Sequence, residues 1–96
     1  MMKSIVVLIK DPEQQYEGLR TSLGALLEMA SVSMVVLNHE VAEMDEAYSE
    51  NMEFLDEMEG ERFSNHQANV DKYGFQPISL PELGQKVREA DIVIPF

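Results

Sequence analysis

Two uninterrupted apolar runs, Ser4-Ile-Val-Val-Leu-Ile9 and Ser33-Met-Val-Val-Leu37, stand on either side of a stretch with helical spacing. A strand with one wet face alternates apolar and polar residues, whereas a strand covered on both faces does not. The order strand, helix, strand from Ser4 to Asn38 therefore restricts the chain to an α/β architecture. It predicts an open, mostly parallel sheet of four or five strands with helices on both faces, and Val6, Leu8, Val35, Leu37 and Val93 in the core.

The connecting helix is predicted from Pro12 to Ala30. Asp11 suits its N-cap, Pro12 sits where a missing N–H costs nothing, and Glu13 complements the positive helix end. An apolar stripe of Tyr16, Leu19, Leu23, Leu26, Leu27 and Ala30 should face the core. A second stripe of Gly18, Ser22, Ala25 and Met29 is mostly small. Gly18 and Gly24 each cost about 1 kcal/mol against alanine inside a helix, and close packing is the physical reason to expect them there. Arg20, one turn on from Tyr16, suits a cation–π contact.

After a turn at Asn38-His39-Glu40, an acidic helix is predicted over Val41 to Glu59, with Met44, Ala47, Tyr48, Met52 and Leu55 inward and Gly60 just past its end. Ten acids and no base lie between Glu40 and Glu61, a pattern expected of a solvated face. Arg62-Phe63-Ser64 reads as a short third strand, Gln67 to Tyr73 as a short helix stopped by Gly74, and Phe75 to Ile78 as an extended edge piece because of Pro77. Ser79-Leu80-Pro81-Glu82 has the form of a capping box. It opens a helix with Leu80, Leu83, Val87 and Ala90 inward, followed by a last strand at Ile92-Val-Ile94.

The chain has 96 residues, which predicts a single domain spanning 1–96 with a thin stability margin. With no cysteine, disulfides, cysteine-ligated zinc, iron–sulfur clusters and thiol nucleophiles are excluded. A net charge of −11 with seven scattered bases argues against binding nucleic acid. No membrane span or cleavable leader is legible, so a cytoplasmic protein is expected. No motif calls for a cofactor.

The β-α-β-α order resembles the DsrE/DsrF-like (TusBCD-type) proteins of sulfur relay. The resemblance lies in Lys3-Ser-Ile-Val-Val-Leu-Ile9, Tyr16-Glu-Gly-Leu-Arg-Thr-Ser-Leu-Gly24 and Met34-Val-Val-Leu37. It returns in Ile78-Ser-Leu-Pro-Glu-Leu83 and Ala90-Asp-Ile-Val-Ile94. It implies a flavodoxin-like sheet and assembly into a trimer or hexamer, alone or with cysteine-bearing paralogues. Active members carry a persulfide-accepting cysteine after the third strand, a place that falls near Asn65-His66 here. Neither residue can hold a persulfide, so the resemblance implies a non-catalytic subunit and no catalytic residue is expected.

Ligands of open α/β sheets sit outside the carboxyl ends of the strands. Lys10, Asp11, Asn38, His39, Asn65 and His66 are the candidate ligand-binding residues at those ends. An alternative function follows, in which His39 and His66, with Glu40, bind a small ligand or divalent metal, or orient an anion beside Lys10. Their spacing matches no metal motif.

Overall fold

The computed structural model describes residues 3–41 and 45–96, and its central strands form where the apolar runs lie. β1 (Ser4–Ile9) and β2 (Ser31–Val36) pair in parallel, from Ser4 opposite Ser31 to Ile9 opposite Val36. β3 (Glu61–Ser64), β4 (Gln76–Pro77) and β5 (Ile92–Pro95) complete one sheet in the order β4-β3-β2-β1-β5, parallel throughout. The crossovers are α1 (Gln15–Leu27), α2 (Glu46–Glu57), α3 (Gln67–Tyr73) and α4 (Leu80–Glu89). This is an open α/β sheet of the flavodoxin-like kind.

Strand order dictates the layering. The steps from β1 through β4 all run one way across the sheet, and the step to β5 runs back past them. Right-handed crossovers then place α1, α2 and α3 on one face and α4 on the other. The packing agrees: Val7, Ile9, Met34 and Val36 meet Leu19 and Leu26 of α1, Tyr48, Met52 and Leu55 of α2, and Val70 and Tyr73 of α3. On the opposite face Val6, Val35, Leu37 and Phe63 meet Leu83 and Val87 of α4. Among the described residues three helices cover the part of the first face nearer β4, and none lies beyond α1 over β5.

α1 sits on the sheet by its small residues as much as by its leucines. Gly18 and Ser22 are buried with Leu19 and Leu26, and a Cβ on Gly18 would run into the Ile9 side chain. Close approach thus explains Gly18. It does not explain Gly24, where a Cβ would meet nothing within 4 Å. Because the helix turns its small stripe inward, Tyr16 and Leu23 are only half-buried and Leu27 stays 65% exposed. Arg20 reaches Glu17 at 3.9 Å and makes no cation–π contact with Tyr16, whose ring meets that of Tyr48.

The acidic helix is shorter than its charge pattern. Asp45 caps α2 by accepting the Tyr48 N–H, and Val41 lies outside the helix, buried. Ala47 faces solvent, and Met44 falls outside the described residues. The first base after the acidic run, Arg62 on β3, grips Asp56 through two bonds of 2.8 and 2.9 Å and also donates to the Tyr73 carbonyl. Its guanidinium lies 5.0 Å from the centre of the Phe75 ring. Gly74 ends α3 at φ 71°, a left-handed turn that glycine makes without steric cost. The Ser79/Glu82 capping box forms, but Leu80, expected inward, is 63% exposed, and Leu83 is the buried residue of α4. Of the expected core, Val6, Val35 and Leu37 are buried, and Leu8 and Val93 are half-buried.

Candidate functional site

The carboxyl ends of β2 and β3 lie side by side, and two short polar loops meet there. Asn38, at φ 63°, turns the chain out of β2 in a conformation that asparagine tolerates. Its N–H donates to Asn65 Oδ1 and its Oδ1 accepts from Asn65 Nδ2, both at 2.8 Å, so the two asparagines clasp one loop to the other.

Beneath that clasp is a buried polar hub. Asn69 of α3 is fully buried. Its Oδ1 accepts the Val41 N–H at 2.8 Å, and its Nδ2 donates to the His39 carbonyl and to Ser64 Oγ, each at 2.9 Å. Ser64 Oγ donates to the Val36 carbonyl and accepts the His66 N–H at 3.0 Å. The backbones at His39 and His66 are thereby tied to one Asn69–Ser64 pair. A serine hydroxyl committed to a carbonyl in this way is a structural group and is not poised as a nucleophile.

The two histidines project from this hub. His39 Nδ1 lies 2.8 Å from the Leu37 carbonyl, which can only accept, so Nδ1 carries a proton. His39 Nε2 and His66 Nδ1 are shielded from solvent and have no hydrogen-bond partner. Beside them Glu40 pairs with Lys72 at 2.6 Å. The bond to Lys72 and its positive charge hold the Glu40 carboxyl below its ordinary value, with a smaller contribution from His66. The same pairing raises the Lys72 ammonium. Among the described residues no group of three or more His, Cys, Asp and Glu side chains is placed to hold a metal ion.

The other two candidates lie at the end of β1 and bond toward β5. The backbone N–H groups of Lys10 and Asp11 donate to the Phe96 carbonyl beyond β5, at 3.0 and 3.3 Å, and the Asp11 carboxylate caps the turn before α1. The structure thus joins Asn38 to Asn65 directly and the backbones of His39 and His66 through Asn69 and Ser64, and ties the Lys10 and Asp11 backbone to the β5 side.

Sequence reasoning missed Ser64, Asn69 and the place where the crevice opens. Loops leave β3 and β4 toward opposite faces, and a hollow of about 420 Å³ lies between them, lined by Ser64, Asn65, Gln67, Val70, Pro77, Ile78, Ser79 and Glu82. The N-terminal donors of α4 point there, but the capping box engages them: Ser79 Oγ accepts from Glu82 N, and the Glu82 carboxylate accepts from Ser79 N. Those bonds also hold the Glu82 carboxyl below its ordinary value. A crossover on the opposite face from α3 is what makes this crevice, and it depends on strand order, which no local pattern carries.

No family model matches the chain, and comparison with curated proteins and with solved structures found no match. Among the described residues no helix is long and apolar enough to cross a membrane.

Proposed function

We propose that the chain is a non-catalytic DsrE/DsrF-like subunit that assembles with itself or with cysteine-bearing sulfur-relay paralogues. The observation that carries this reading is the turn after β3. Its residues are Asn65 and His66, clasped and hydrogen-bonded at the carboxyl edge of a parallel sheet, and the chain holds no cysteine. Sulfur relay needs a thiolate that attacks a persulfide and later leaves. Neither an amide nor an imidazole does this, so a chain with this edge contributes by binding.

Two measurements test the reading together. Incubation with a labelled persulfide donor should leave no covalent sulfur on the protein, and its native mass should exceed that of one chain, alone or mixed with a cysteine-bearing paralogue. Sulfur transferred to the chain, or a single chain in every mixture, contradicts it.

The unpartnered His39 Nε2 and His66 Nδ1 favour a second reading, in which the β2/β3 edge binds a small ligand or a divalent ion. Titration with Ni²⁺ or Zn²⁺ separates the two. A binding isotherm lost in both His39→Ala and His66→Ala supports the second reading, and no heat with the unaltered chain removes its metal form.

A further inference from the structure

We infer that a second copy of this chain packs on the exposed flank formed by α1 and β5, the two copies being related by a two-fold axis. The inference rests on the assembly reading above and names the surface.

A parallel sheet is stable with both faces covered, and β5 is not. Ile92 and Ile94 align with Ile5 and Val7 of β1, which places them on the face that carries α1. Among the described residues no helix lies over them there. Between them and α1 is a hollow of about 790 Å³, with Ile5, Ala25, Ile92 and Ile94 in its wall. Gly24 lines its α1 side, where an added Cβ would meet nothing within 4 Å.

Met29 stands on the rim of this hollow and of a second one of about 490 Å³. It is 76% exposed, and its backbone is at φ 67°, a region that glycine enters more readily than a residue with a Cβ. In an isolated subunit both facts count against methionine, and glycine would serve better. The left-handed backbone belongs to the turn that ends α1, where Met29 N and Ala30 N donate to the Leu26 and Ala25 carbonyls. Insertion of Met29 into the partner's hollow accounts for a large apolar side chain at that exposed position. Because knob and hollow belong to one patch, the contact is self-complementary, which is the property of a two-fold interface.

Charge singles out the same surface for a like copy. Two chains of net charge −11 repel wherever acids face each other. The hollow carries one base and one acid, Lys3 and Glu28, so here two copies meet without adding like charge.

The test is sedimentation equilibrium on the full chain, unaltered and as Ile92→Glu and Met29→Gly. The unaltered chain should form an even-numbered assembly that tightens from low to moderate salt as repulsion is screened. Ile92→Glu, at an exposed position, should raise the dissociation constant of the pair at least 100-fold, because two carboxylates enter one apolar contact. Met29→Gly relieves a left-handed residue, so it should weaken association at least 10-fold while the thermal midpoint of the dissociated chain rises or holds. A trimer, a strict monomer, or dissociation constants unmoved in both variants would overturn the inference. An assembly that persists unmoved in both variants leaves the subunit reading intact and moves the interface elsewhere, whereas a chain that is monomeric alone and in every paralogue mixture defeats both.

Discussion

At the carboxyl edge of β2 and β3, polar groups are buried and paired, Asn69 alone serving three partners, whereas along the β5 flank apolar groups remain in water. The first region is complete within one chain apart from two imidazole nitrogens. The second has a wall, a rim and no cover. A small domain of this kind spends its polar side chains fixing the loops at one end of its sheet and leaves part of its apolar surface in water, where the proposed association would bury it.

The largest effect should come from the hub. Asn69→Ala strands the Val41 N–H and the His39 carbonyl inside the protein, and urea unfolding should show a loss of about 2–4 kcal/mol. A loss under 1 kcal/mol would mean that water replaces the amide and that the edge is less self-sufficient than its bonds suggest. Gly18→Ala comes next. The new methyl meets Ile9, which is fully buried and has nowhere to move, so overpacking should outweigh the gain in helix propensity for a net cost of about 1–2 kcal/mol.

Tyr48 sharpens the comparison from inside the core. Its hydroxyl is buried without a partner, and burial pushes its pKa from 10.0 up to about 12, offset in part by nearby Arg62. The folded state therefore keeps its proton after the unfolded state has lost it. Stability should be fully present below pH 10 and decline as pH rises toward 12. Tyr48→Phe should flatten that decline and leave neutral-pH stability unchanged or higher by up to about 1 kcal/mol, since no hydrogen bond is lost. Chemical denaturation from pH 8 to 12 checks both parts, and an unchanged alkaline decline in the variant would place its cause elsewhere. The smallest effect is expected on the flank itself. Gly24→Ala adds a methyl into open space and should raise helix stability by about 0.5–1 kcal/mol in the dissociated chain. That sign is opposite to the one at Gly18.

Those two glycines show where the chain was legible and where it was not. Both strands of the opening unit, the helix between them, the capping box and the Gly74 stop follow from local pattern, because periodicity and caps act over a few residues. The inward face of α1 did not follow, since Leu27 and Gly18 exchange places only once Ile9 is known to lie beneath the helix. For the site, Asn38, His39, Asn65 and His66 were visible as polar strand ends, a consequence of the parallel sheet. Asn69 was not, for its side-chain partners lie 5, 28 and 30 residues away. That Lys10 and Asp11 bond to Phe96 was not legible either, because strand order, which carries β5 and Phe96 to the far side of β1, is a property of the whole chain.

The contrast between the two regions is tested most directly by amide hydrogen exchange followed residue by residue over a range of protein concentrations. Exchange of Asn69, Val41 and the β3 amides should be slow and independent of concentration, because their bonds are made within one chain. At Ile92 to Ile94 and along the C-terminal half of α1, exchange should slow as concentration rises and the flank is covered. Protection at β5 that does not change with concentration would contradict the account.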